Sequence, residues 1–108
     1  MPEKQSMPQN EFKVRLLDLA EQDLLEIIAY VAAENPTAAE KLLDKFETTR
    51  ANLSVFPKSG AVPKDGQLTA KGYRYSVVEN YLIFYTIKES AILLHRIVHG
   101  ARDYQSFL

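Results

Sequence analysis

From Tyr73 to Tyr104 the chain runs YRYSVVENYLIFYTIKESAILLHRIVHGARDY, and this stretch constrains the fold more than any other. Blocks rich in Val, Ile, Tyr and Phe are broken only by Glu79-Asn80 and Glu89-Ser90. That is the pattern of three antiparallel strands joined by tight turns. Two-residue turns fix the register. Val78 then pairs with Tyr81 and Arg74 lies opposite Tyr85, while pairing Lys88 with Ala91 puts Tyr85 opposite Leu94 and Ile83 opposite Arg96.

Strand side chains alternate between faces. One face of this meander carries Tyr73, Tyr75, Val77, Leu82, Phe84, Thr86, Leu93, His95 and Ile97, and its apolar character suits it to lie against helices. The other carries Arg74, Ser76, Val78, Tyr81, Ile83, Tyr85, Leu94, Arg96 and Val98. Guanidiniums and phenols among aliphatics describe a face that meets a partner or a phosphate.

Upstream, Phe12-Lys13-Val14-Arg15-Leu16 alternates apolar and basic residues, as a half-buried strand does. Asp18 and Glu21 have the spacing of a capping box, ahead of a helix expected over Leu19–Ala33 with Leu24, Ile27, Ile28 and Val31 on its apolar face. Asn35-Pro36 stops it and begins a second helix, Asn35 as cap and Pro36 at the first helical position. In that helix Ala39, Leu42, Leu43, Phe46, Leu53 and Phe56 keep the helical period. The tight connection makes the pair an antiparallel hairpin. Pro57 to Gly60 ends the second helix, and Ala61–Gly72 reads as a loop.

The expected fold is therefore α+β: an antiparallel sheet of the N-terminal strand and the C-terminal meander, with the helical hairpin on one face. A flexible arm is expected over residues 1–10 and a single domain over residues 11–108.

Composition narrows the chemistry. Without cysteine there is no disulfide, thiolate nucleophile or cysteine-based metal site. His95 and His99 make a poor chelate, so no metal is expected, and no motif calls for a cofactor. A net charge of −1 argues against a broad nucleic-acid grip. No apolar run approaches a membrane span and the N-terminus lacks a signal peptide's apolar core, so a cytoplasmic location is expected. Near one end of the sheet Arg74, Arg96, His99, Arg102, Asp103 and Tyr104 form a cluster that could hold a phosphodiester and move protons. It could equally be structural, with Asp103 neutralising an arginine, His99 ending a strand and Tyr104 docking the tail.

Several of these pieces together resemble the ParE/RelE superfamily of bacterial type II toxins: Asp23-Leu24, Glu26-Ile27 and Tyr30 on the first helix, Ala39 on the second, Pro57 and Gly60, then YRYSVVENYLIFYTI and IVHGARDY. The resemblance covers nearly the whole chain from Phe12 onward. It implies a small toxin neutralised by a wrapping antitoxin, with plasmid or chromosomal stabilisation as its wider role. RelE-like members cut mRNA in the ribosome, and Arg74 and Arg96 match their sheet arginines, with Tyr104 or His99 standing for a proton-transfer residue. ParE-like members inhibit DNA gyrase without that set. The slightly acidic charge, the scattered Lys64 and Lys71, the long helical hairpin and the ending HGARDY look more like ParE. The expectation is a gyrase inhibitor, with ribosome-dependent mRNA cleavage as runner-up. The antitoxin is expected to fold on Arg74, Tyr81, Ile83, Tyr85, Leu94 and Arg96, and the two proteins to form a hetero-oligomer.

Overall fold

The computed structural model describes residues 11–100 and 108. The arm expected over residues 1–10 lies outside the described residues, as do Arg102, Asp103 and Tyr104. The elements, in order, are β1 (Lys13–Leu16), α1 (Asp18–Glu34), α2 (Pro36–Val55), α3 (Gly66–Ala70), β2 (Arg74–Val78), β3 (Tyr81–Lys88) and β4 (Ala91–His99). The strands form one four-stranded sheet in the order β1-β4-β3-β2.

The α+β architecture is as expected, with one correction. The sheet is mixed rather than antiparallel, because β1 runs parallel to β4, with Lys13 beside Ala91 and Leu16 beside Leu94. A parallel neighbour needs a long crossover, and here α1, α2, α3, β2 and β3 lie between the partners. The start of β1 is also tied to the end of α2, where the Phe12 amide donates to Ser54 O at 2.9 Å and Ser54 Oγ donates to Phe12 O at 2.9 Å.

The helices follow local chemistry. Asn35 Oδ1 accepts from the Ala38 amide at 3.0 Å, and Pro36 fills the first position of α2. At α1 the capping box does not form. Leu17 occupies the cap without a side-chain bond and Asp18 is already helical, so Asp18 and Glu21 act only as first-turn acids, where the helix dipole favours negative charge. The loop expected over Ala61–Gly72 contains α3, whose cap is Asp65; its carboxylate accepts from the Gln67 and Leu68 amides.

Both hairpin turns are as expected. Val78 pairs with Tyr81, Lys88 with Ala91, Arg74 with Tyr85 and Tyr85 with Leu94. Glu79 and Glu89 adopt φ of 55° and 57°, the sign that primed hairpin turns require at their first position. Farther along β4 the register departs from expectation. Phe84 pairs with Arg96 while Tyr85 pairs with Leu94, so His95 is an extra residue in a bulge and Ile83 meets Ile97 instead of Arg96.

The assignment of faces is reversed. The main core joins Ala20, Leu42, Phe46 and Leu53 of the helical hairpin to Val78, Ile83, Tyr85, Ile92, Leu94 and Ile97. The face read as a partner surface is thus the one the helices cover. The opposite face is smaller: Leu68 of α3, Phe84 and Val98 form its cluster, flanked by Tyr73, Tyr75, Leu82 and Leu108. The bulge moved Ile97 to the helix side and Val98 to the α3 side.

Candidate functional site

Arg96 and Arg74 were expected to share one surface. By register Arg96 lies beside Phe84 and Arg74 beside Tyr85, neighbouring residues whose side chains belong to different cores. The two arginines therefore sit on opposite faces, and the single docking face that needed both is corrected.

Each arginine also has a structural role. β1 ends at Leu16, so among the described residues β4 beyond Leu94 has no strand on that side, and α1 supplies the acceptor instead. Asp23 takes Arg96 Nε at 2.7 Å, Arg96 Nη2 at 2.9 Å and the Ile97 amide at 2.9 Å. The two side chains are 12% and 18% exposed. Charge-assisted paired bonds of this geometry fix orientation as well as adding energy. The Asp23 hydrogen bond pushes the Arg96 guanidinium pKa up. The expected neutraliser, Asp103, lies outside the described residues. Asp23 and Arg96 are 73 residues apart, and no local sequence signal joins them.

Arg74 Nη1 donates to Gly60 O at 3.0 Å and Lys58 O at 3.3 Å. It holds the segment after α2 against the sheet, a task shared by Tyr85. The Tyr85 hydroxyl donates to Pro57 O at 2.8 Å and accepts from the Gly60 amide at 3.0 Å. Buried polar groups need such partners. Burial pushes the Tyr85 phenol up, against smaller opposing effects of the Gly60 amide and Arg74.

The six residues expected to receive the partner therefore do not form one accessible surface. Ile83, Tyr85 and Leu94 are buried in the core. Tyr81 is half-buried at the edge of the helix-side core, its ring 6.3 Å from Phe46 and 5.6 Å from the His99 ring. The His99 ring meets the Tyr81 ring edge-on.

The bulged His95 places Nε2 2.9 Å from Thr86 Oγ1 and Nδ1 3.5 Å from the Tyr73 hydroxyl. Burial lowers its pKa and raises that of Tyr73. Both shifts favour the neutral forms, suited to packing. Among the described residues no group of three His, Asp or Glu side chains converges on a metal position.

The more open features lie along α2 and β2. A cleft of about 350 Å³ is bordered by Ala38, Lys41 and Lys45 of α2 and by the Glu79-Asn80 turn. A second, of about 480 Å³, continues past Thr48 and Asn52 to Ser59, Gly60 and Val77. Lys45 forms an ion pair with Glu79 across the first.

Residues 14–104 match the family described as the ParE toxin of the type II toxin-antitoxin system, parDE. No protein of curated function matches the sequence significantly. Among solved structures, a chain described as "Chromosomal ParDE TA system from P. aeruginosa" superposes with a TM-score of 0.68. The match covers 84% of this chain and 98% of that one at 17% identity.

Proposed function

The chain belongs to the ParE toxin family of type II toxin–antitoxin systems, and from that membership we propose that it is a toxin that inhibits DNA gyrase and is neutralised by a cognate antitoxin. It acts by binding. One observation supports binding over mRNA cleavage: among the described residues, the two candidate phosphate-holding groups Arg74 and Arg96 do not converge. General acid–base chemistry needs its groups within hydrogen-bond reach of one reacting centre. Arg74 and Arg96 instead lie on opposite faces, one bonded to loop carbonyls and the other to Asp23. His99 stands against Tyr81.

The expected antitoxin surface is redrawn accordingly. Tyr81 remains at the edge of the open clefts, whereas Ile83, Tyr85 and Leu94 serve the fold. The antitoxin segment orders on the toxin, and its loss by degradation releases the active form. The toxin works in the cytoplasm, where its target is; among the described residues no helix is long and apolar enough to cross a membrane.

Expression of the chain alone is expected to arrest growth, and co-expression of the adjacent reading frame to restore it. Arg74→Ala should still arrest growth, with transcripts left intact. Transcript cleavage that disappears with Arg74→Ala would transfer the assignment to the ribosome-dependent nuclease.

A further inference from the structure

The outer edge of β2 is treated unevenly along its length. In an antiparallel pair alternate residues direct their backbone groups toward and away from the neighbouring strand. The Tyr75 amide and carbonyl point away from β3, and Ala61 takes both, at 2.9 and 2.8 Å. The Tyr73 amide is likewise taken, by Leu68 O at 3.0 Å. Val77 is next in this outward series, and its amide and carbonyl have no partner among the described residues. Its side chain is 62% exposed.

The groove between this edge and α2 has a definite character. Ala38, Lys41, Lys45, Thr48 and Asn52 follow one another at helical spacing along its α2 wall. Lys41 has no ion-pair partner among the described residues, and the Lys45–Glu79 pair is half exposed. Exposed pairs are screened and exchange readily.

We propose that this edge takes one short extended segment of the antitoxin as an added strand, an inference that rests on the toxin–antitoxin reading above. Ala61 already shows the edge accepting an antiparallel neighbour at Tyr75. The added segment bonds at Val77, where the protein's own chain has turned away. Alternation fixes its chemistry. A residue beside Val77 lies on the α3 side and is apolar; its neighbours lie on the α2 side, the one toward the Glu79-Asn80 turn carrying a carboxylate to Lys45 and Lys41 and the other meeting Thr48 and Asn52. A second copy of β2 does not fit, because Ala61 blocks the Tyr75 position that a self-paired strand would need.

The probe is the purified product of the adjacent reading frame. Val77→Pro deletes an amide that has no partner in the free protein, so the β2–β3 ladder survives. Lys41→Glu with Lys45→Glu reverses an exposed wall and leaves the core untouched. Calorimetry should show each variant binding roughly tenfold or more weakly than wild type, and hydrogen exchange at the Val77 amide should slow in the wild-type complex. Wild-type affinity in both variants, or an unchanged Val77 exchange rate in a formed complex, overturns the strand-addition proposal alone. If the wild-type chain does not bind the neighbour's product at all, the toxin–antitoxin reading falls and takes this proposal with it.

Discussion

Replacing Asp23 with Ala removes the acceptor for three hydrogen bonds, two from the Arg96 guanidinium and one from the Ile97 amide. The residues left behind determine the cost. Arg96 becomes a cation with an 18% exposed side chain, and the Ile97 amide loses its partner at a strand edge covered by α1. Breaking a fully buried pair costs about 3–5 kcal/mol, and orphaning a buried amide about 1–3 kcal/mol. Residual exposure lets water reach both groups, so the lower end of the first range applies, roughly 3 kcal/mol in total. For a domain of this size that lowers the melting temperature by roughly 4–8 °C per kcal/mol. Asp23→Asn keeps an oxygen for the Ile97 amide and should lose less. Glu47→Ala is the control: its bonds to Arg50 join side chains 53% and 44% exposed, and such pairs contribute about 0–1 kcal/mol. Urea denaturation of the three variants, followed by circular dichroism, ranks them. If Asp23→Ala costs no more than Glu47→Ala, the view that this carboxylate fastens α1 to the sheet is wrong.

Other outcomes follow from the same structure. Tyr85→Phe leaves Pro57 O and the Gly60 amide without their phenol partner and should cost about 1–3 kcal/mol in chemical denaturation. Gly60→Ala should cost a similar amount, about 1–3 kcal/mol, because the added methyl meets the Tyr85 hydroxyl and lies 2.8 Å from Tyr75 O; full stability in this variant would refute the close approach. Burial depresses the His95 pKa in the folded state, so the unfolded chain takes up a proton first as pH falls. The stability His95 contributes is complete above its unfolded pKa of about 6.5 and is lost as pH falls through the folded value. Wild type should therefore lose more stability than His95→Gln between roughly pH 7 and 5, and parallel pH profiles would contradict this.

Much of the fold was legible in the sequence because its signals are local. Two-residue turns at Glu79-Asn80 and Glu89-Ser90 set the register, and Asn35-Pro36 marked the break between the helices. The bulge was not legible, since His95 and Arg96 are adjacent polar residues that read equally well with or without an extra one. The reversed faces have a related cause. Arg74 and Tyr85 gave their face a polar appearance, yet their polar atoms are spent on the carbonyls of Pro57, Lys58 and Gly60, leaving the aliphatic parts to pack. In α3, the cap Asp65 was masked by the neighbouring glycine and proline. The Asp23–Arg96 contact depends on the crossover that makes β1 parallel to β4, a tertiary relation beyond any local pattern.

We propose that this ParE-family chain binds gyrase rather than cutting RNA. A supercoiling assay with purified chain and purified gyrase tests it most directly. Supercoiling should fall as the chain is added and recover when the adjacent gene's product is added first. Undiminished supercoiling at concentrations that halt translation and cleave transcripts in an extract would contradict the account.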